Sequence, residues 1–407
     1  MSFRISLSGM NAASADLNVT ANNIANANTT GFKQSRAEFG DVFALSPYGL
    51  SRNAIGAGVR LEKVAQQFGQ GNTDFTGKAL DMALSGQGFF TLSSNGATVY
   101  SRAGNFGPDP DGFVVNPAGQ RLQVFLPNAG GNGFDTGRMG DLQLSTGDSP
   151  PQATTEVEVG TNLPGNATPP TLAPFDPNEP LSYSHTTSLT VYDSLGAPHT
   201  QSLYFIKTAN PNEWQLHTQV DGVAVGTPQT LQYSSTGTLT TPAAPGRIVL
   251  PPYTPAGGAA PMALTLDIGD STQYGKAFGV SALVQDGYTT GRLTGIEVSP
   301  EGVVNARYTN GVSTPLGQVA LTTFANPQGL QPLGDNGWAE TFESGQARRG
   351  GAGTSEFGLV QGGALEASNV DLTEQLVNMI TAQRNFQANS QMISTQDQIT
   401  QTIINIR

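Results

Sequence analysis

The sequence predicts a multidomain α+β fold, with long N- and C-terminal helices forming a coiled-coil-like inner domain and two nested, mainly-β domains further out. Three observations carry this reading. The two ends are almost free of helix breakers in a chain that holds 50 glycines and 26 prolines. Both ends repeat apolar residues at alternating spacings of three and four, while the middle reads as short alternating strands punctuated by turns. At 407 residues the chain is long enough for two or three domains, because single cores stop growing well before this length.

In residues 1–30 the one glycine is Gly9, and Phe3, Leu7, Met10, Ser14, Leu17, Ala21 and Ile24 fall on a heptad seam. Ser14 and Ala21 weaken that seam. Gly31 stands where a C-terminal cap would end the helix. Residues 364–407 contain neither Gly nor Pro, and Leu372, Leu376, Met379, Gln383, Phe386, Ser390 and Ile393 repeat the pattern. Ile399, Ile403 and Ile406 extend it with a slight change of phase. The stripe covers about 35 residues, or roughly 50 Å of helix. Asp371 followed by Glu374 forms a capping-box-like start. Away from the stripe Gln, Asn, Thr and Ser dominate, so the helix gains little from ion pairs and is marginal alone in water. A helical hairpin capping a globular domain and an interface for assembly both satisfy this periodicity.

Between the helices, residues 31–70 are expected as an extended linker segment. Residues 71–145 and 285–363 read as hairpins, with strands at Gly88–Leu92, Val99–Ser101 and Leu293–Val298 and turns at Asp109–Gly112 and Ser299–Gly302. Paired terminal helices would bring these two stretches together as one discontinuous β domain. Residues 146–284 are expected as an inserted outer β domain, with strands such as Leu189–Tyr192, Leu203–Ile206 and Trp214–Leu216. It is bounded by proline-rich connections, eight prolines in 150–180 and six in 242–261.

Composition removes several function classes. A net charge of -12 without a basic cluster argues against nucleic acid and anionic lipid. With no cysteine there are no disulfides, thiolate metal sites or cysteine nucleophiles. The N-terminus lacks the basic start and apolar core of a cleaved signal peptide, and no apolar run approaches the ~20 residues of a membrane span. His185, His199 and His217 lie at no helical ligand spacing and read as ordinary histidines of the outer segment. Asp109 and Asp111 begin like a calcium loop but lack its later ligands and read as a turn. Gly279–Leu283 lacks the closing glycine of a nucleophile elbow, and Gly350–Gly353 lacks the phosphate-loop context. The expectation is therefore no enzyme, no cofactor, no metal, no small-molecule substrate and no membrane insertion. Arg384, in a weakly charged helix, reads as a lattice contact rather than a solvated charge.

The ends also carry longer motifs: Asn22-Asn23-Ile24-Ala25-Asn26-Ala27 followed by Thr30-Gly31-Phe32-Lys33, then Gly363-Ala364-Leu365-Glu366-Ala367-Ser368-Asn369-Val370-Asp371 and Ala382-Gln383-Arg384-Asn385-Phe386-Gln387. Inward lie Phe68-Gly69-Gln70-Gly71, Gly86-Gln87-Gly88-Phe89-Phe90, Tyr100-Ser101-Arg102-Ala103-Gly104, Leu316-Gly317-Gln318-Val319 and Gly337-Trp338. These resemble the axial rod and hook proteins of the bacterial flagellum over roughly residues 1–125 and 285–407. The length and the β insertion resemble the hook family more than the shorter distal rod proteins. The stretch Ala44–Asn53 makes the segment after the first helix longer than in the shortest hook proteins, and in the rod family an insertion nearby goes with a straight tube.

The resemblance implies a structural subunit that polymerises with itself into a curved, flexible tube transmitting torque, located in the flagellum outside the cell. It further implies a distal rod protein, a hook-filament junction protein, a hook cap and the flagellar type III export apparatus as partners. The residues assigned to the assembly interface are Phe3, Leu7, Met10, Leu17, Ile24, Asn22, Asn26, Phe32, Leu372, Leu376, Met379, Arg384, Phe386, Ile393, Ile399 and Ile403. A distal rod subunit is the nearest alternative. A secreted β-rich adhesin oligomerised by its helices is the alternative of another class, and it would be expected to expose clustered aromatics where this chain has only Trp214 and Trp338 as tryptophans.

Overall fold

The computed structural model describes residues 2–43, 56–128, 133–144, 147–354 and 356–405. The Ala44–Asn53 stretch and Ile406 lie outside them. The described chain has one α-helix near each end and many β-strands between. It divides into two compact units, one of residues 1–146, 295–307 and 313–407, the other of residues 147–294 and 308–312.

In the first unit α1 (Ser2–Ala25) and α2 (Leu372–Asn405) run side by side. Asn23 Nδ2 donates to Gln375 Oε1 at 3.1 Å, and a Cβ placed on Gly9 would lie 2.6 Å from Asn389 Oδ1. The contact moves along α1 as it moves back along α2, so the helices are antiparallel. The buried line on α1 is Ser6, Ala13 and Thr20, one heptad apart, facing Gln375 and Ala382 of α2. Met10, Leu17 and Ile24 flank that line half-buried, whereas Phe3 and Leu7 are exposed. The heptad is therefore present but rotated by one position from the apolar seam. Small residues let the two backbones approach closely, and the bulky residues are turned outward.

Two local expectations are corrected. α1 ends at Ala25, where Asn26 Nδ2 donates to the Asn22 carbonyl at 2.9 Å, and Gly31 is not its cap. Gly31 has φ +69°, and Ala103 N would lie 2.5 Å from a Cβ there, so both backbone conformation and space call for glycine; its N–H bonds to the Glu366 carbonyl at 2.8 Å. Residues 31–70 are not simply a linker: β1 (Ser35–Asp41) and β2 (Val59–Gln66) pair antiparallel, with a bulge at Glu38/Phe39. The alternating Ala37, Phe39 and Val59, Leu61 supply the strand pattern, diluted by Arg, Glu and Lys. At the other end Asp371 Oδ1 accepts the N–H groups of Thr373 (2.8 Å) and Glu374 (3.2 Å), starting α2 where the capping pattern puts it.

The rest of this unit is built on a 13-stranded sheet in which strands from the two halves of the sequence interleave. Arg121–Pro127 pairs with Ser313–Val319, and Phe89–Ser94 pairs with Leu321–Thr323. The buried Thr91 and Thr322 hydroxyls meet at 2.8 Å across that second seam. Met82, Leu84, Phe90, Leu92, Val124 and Leu321 form one buried core. Phe89, Tyr100, Phe324 and Trp338 form a second, with edge-on ring contacts of 4.8 to 6.1 Å.

The second unit is a sandwich of a 5-stranded and a 6-stranded sheet sharing one core that includes Val159, Leu203, Phe205, Trp214, Leu216 and Leu266. Along strand Pro198–Lys207, Gln201, Leu203, Phe205 and Lys207 are buried and their neighbours are not, the period of a half-buried strand. Strand Glu156–Pro164, by which the chain enters, pairs antiparallel with strand Gly279–Gln285, by which it leaves. The unit extends past the expected boundary at 284. Tyr288 and Gly291 bridge to Gln152 and Ser149, the Asp286 carboxylate accepts from the backbone of Thr155 and Glu156, and Asn310 Nδ2 donates to the Thr289 carbonyl at 2.8 Å. These long-range hydrogen bonds have no local sequence pattern.

Candidate assembly interface

The motif segments that lie far apart in sequence meet at the base of the helices. Lys33 Nζ donates to Glu366 Oε1 at 2.5 Å and to the Gly69 carbonyl at 2.7 Å. Glu366 Oε1 also accepts the Gly71 N–H at 2.9 Å, and its Oε2 accepts from Arg102 Nη1 at 3.1 Å. Arg102 Nη2 reaches the Gly86 carbonyl at 2.7 Å. The Lys33 and Glu366 side chains are wholly buried and Arg102 nearly so. Burial pushes the Lys33 ammonium below the ordinary lysine range, against the opposing pull of Glu366. Buried charge of this kind persists only when paired and hydrogen-bonded, and here each carboxylate oxygen is satisfied.

A second set of bonds fixes how the helices leave the sheet. Asn23 Oδ1 accepts the Ser35 N–H at 2.8 Å and Asn23 Nδ2 donates to the Ser35 carbonyl at 2.7 Å, an amide mimicking one rung of a sheet. Asn369 Oδ1 accepts the Gln34 N–H at 2.7 Å, and Asn369 Nδ2 donates to the Gln67 carbonyl at 2.8 Å. Asn336 Nδ2 donates to the Thr30 carbonyl at 2.8 Å. Asn22 and Asn26, assigned to the interface, bond to each other at the end of α1, and Phe32 is half-buried.

Above this joint the apolar residues of the helices lie largely open. Phe3, Leu7, Leu372, Leu376, Phe386, Ile399 and Ile403 are exposed, Ile403 at 64%, as are Val377, Ile380, Met392 and Ile404, which the heptad reading left out. Met379 and Ile393 are half-buried and Arg384 is exposed. Most of the assigned interface residues thus lie on the two helices, with Asn26 and Phe32 just beyond α1, and the large apolar ones among them are exposed or half-buried.

Lys33, Arg102 and Glu366 lie within the sequence motifs, where no local pattern assigns them a role. Two cations and one carboxylate, each within or beside a glycine-containing motif in a chain with 12% charged residues, were the available signal. The three histidines stay apart in role: His185 stacks on Phe278 with ring centroids 4.5 Å apart, His217 packs on Phe175 at 4.3 Å, and His199 sits between Asp221 (2.5 Å) and Asp193 (3.3 Å). Asp109 Oδ1 accepts the N–H groups of Asp111 and Phe113, forming a turn. Among the described residues no group of His, Cys, Asp or Glu is placed to hold a metal ion, and no helix is long and apolar enough to cross a membrane.

Residues 83–163 match the flagellar hook protein FlgE/F/G D1 domain and residues 162–288 the flagellar basal body protein FlaE D2 domain. Residues 3–33 match the flagella basal body rod protein family, and 361–406 the flagellar basal body rod FlgEFG protein C-terminal family. The flagellar hook protein FlgE of Escherichia coli (strain K12) is 40% identical over 413 residues covering all of both chains. The FlgE of Salmonella typhimurium is 38% identical, again over the full length of both. That of Rhizobium meliloti is 35% identical over 99% of this chain and 98% of the relative. The chain belongs to the flagellar hook protein family. In fold, this hook-family chain is similar to the crystal structure of Helicobacter pylori FlgE2, with a TM-score of 0.55 at 15% identity over 72% of this chain and 100% of the other. It is a hook subunit of the bacterial flagellum, in a family of structural proteins, and the buried joint lies in segments matched by the rod-type terminal families, with Arg102 supplied by the D1-type segment.

Proposed function

We propose that this hook subunit assembles through its terminal helices, which act as a coiled-coil-like inner layer with the mainly-β units nested outside it. The observation that carries the reading is the inverted burial of the helix pair: small and polar residues lie inside, while Leu376, Ile380, Ile399 and Ile403 face outward. Each large apolar side chain left in water forgoes roughly 1.5–3 kcal/mol of burial, which neighbouring copies would supply. The helices α1 and α2 then form the inner domain, and the unit of residues 147–294 and 308–312 the outer insertion. Contacts repeated head to tail give an open helical tube rather than a closed ring. Inner helices packed like a solid resist twist, and outer contacts that are individually weak allow the tube to bend while transmitting torque.

On the same reading the chain reaches the tube by the flagellar type III export route, between rod and junction protein and beneath a cap. Arg384 makes a contact between copies. Electron microscopy of purified protein under salting-out conditions tests the reading: curved tubes are expected, straight tubes favour a rod subunit, and compact particles overturn both. Deleting residues 150–280 should leave polymerisation intact and change tube shape. Loss of assembly on that deletion would contradict the layered arrangement.

A further inference from the structure

Phe342 is fully exposed on a loop that has little freedom to move. Thr341 Oγ1 donates to the Gly329 carbonyl at 2.5 Å and accepts from the N–H groups of Glu343 and Ser344, both at 3.2 Å. Asn326 Nδ2 donates to the Glu343 carbonyl at 3.0 Å, and the Asn326 N–H donates to the Ser344 carbonyl at 3.1 Å. Ser344 is completely buried. The loop lies so close on the Pro327–Gly329 turn that a Cβ on Gly329 would come within 2.5 Å of Glu343 C. An aromatic ring held out by a rigid pedestal is poorly placed for its own fold. It is well placed to anchor a partner, because the ordering cost has already been met.

The same unit carries a receptor of matching character. Two open cavities of about 410 and 350 Å3 adjoin across Asn105, Asn116 and Pro117, which line both, and together offer one grooved stretch of surface. Phe106, Pro117 and Ala118 give it apolar walls, exposed Lys78 stands at one end and exposed Asp335 at the other. Asp335 and Asn336 are the turn of the hairpin formed by strands Gln331–Gly334 and Gly337–Ala339. The Phe342 loop packs at the far end of that hairpin, on Gly329, about 10 Å of strand away. The ring therefore cannot reach the groove of its own chain.

We propose that Phe342 docks into the Pro117 groove of a second copy of this chain, with the adjacent Glu343 turned toward Lys78 and away from Asp335. Knob and socket are different surfaces separated along one hairpin, so the contact is head to tail, the kind that can pass from copy to copy along a filament. The occupant is a second copy because the proposed function already brings many copies of this chain together, and the opposite charges of Glu343 and Lys78 fit that pairing. The inference rests on the hook-subunit reading and assigns it a contact outside the helices.

The test uses the purified full chain under polymerising conditions. Phe342→Ser should leave monomer melting unchanged, because the side chain touches nothing, and should raise the critical concentration about tenfold. The chain has no cysteine, so Phe342→Cys and Ala118→Cys variants can be copolymerised and oxidised without background. Disulfides between the two variants are expected in the polymer and not in dilute monomer. An unchanged critical concentration for Phe342→Ser, or a normal polymer with no such cross-link, overturns this contact alone. Cross-linking of Phe342→Cys to itself would mean a symmetric pairing and overturns it as well. A wild-type chain that forms no polymer overturns the hook-subunit reading instead.

Discussion

Lys33 and Glu366, 333 residues apart in sequence, form an ion pair of 2.5 Å with both side chains fully buried. Because Arg102 shares the same carboxylate, the pair ties the segment after α1, the start of the β-sheet region and the strand before α2 into one joint. Removing one partner leaves an uncompensated buried charge, so Lys33→Met is expected to cost about 3–5 kcal/mol in urea unfolding. A loss below about 1 kcal/mol would mean that water reaches the cluster.

The pH response of this joint has a definite sign. Burial lowers the Lys33 pKa from 10.5, so the folded chain holds that proton less tightly than the unfolded chain. Stability should then rise with pH between the folded value and 10.5. Glu366→Gln removes the partner that opposes the shift, so its stability deficit should narrow as pH rises through this window. Chemical denaturation at several alkaline pH values measures it, and a deficit that stays constant would refute the coupling.

His199 offers the opposite sign in the second unit. Burial favours its neutral form, but the hydrogen bonds that it donates to Asp221 and Asp193 prevail and hold its pKa above 6.5. The two carboxylates are themselves held below 3.8, against burial, by hydrogen bonds that include His199. The His199 contribution is complete below 6.5 and lost as pH rises through its folded value. The carboxylate contribution is present above 3.8 and lost as pH falls through theirs. The stability of this unit should therefore fall on going from mildly acidic to alkaline pH, and His199→Gln should flatten that limb in melting curves.

Gly31→Ala should destabilise the first unit by more than about 1 kcal/mol, since it combines a left-handed φ of +69° with Ala103 N 2.5 Å from the new Cβ. Thermal melting reads this directly, and an unchanged midpoint would show that residues 31 and 103 are not in close approach.

The two faces of the helices should separate folding from assembly. Leu376→Ser and Ile380→Ser, on exposed positions, are expected to leave monomer melting within about 0.5 kcal/mol of wild type while suppressing polymer formation measured by sedimentation. Ala382→Leu, at a buried position facing α1, should do the reverse first, forcing the helices apart in the monomer. Equal effects of all three on the monomer would remove the basis for an outward assembly face.

Much of this molecule was legible in the sequence. The scarcity of Gly and Pro at the ends marked where helices form to within several residues, although Ala364–Glu366 is a strand, and Asp371 marked the start of α2 because a cap needs only the amides two and three residues on. Alternation placed strands such as Leu203–Ile206, which lies within the observed Pro198–Lys207, for the same local reason. The motif strings pointed to the family because they are long and specific. The face on which α1 meets α2 was decided by tertiary structure: a heptad offers two adjacent stripes, and which one is buried depends on how closely two backbones can approach. Tertiary structure alone also joined Lys33 to Glu366, extended the second unit through Asp286 and Asn310, and turned Gly31 from a helix cap into a site of close contact. Those outcomes depend on residues hundreds of positions apart, whose energies exist only once the chain has brought them together.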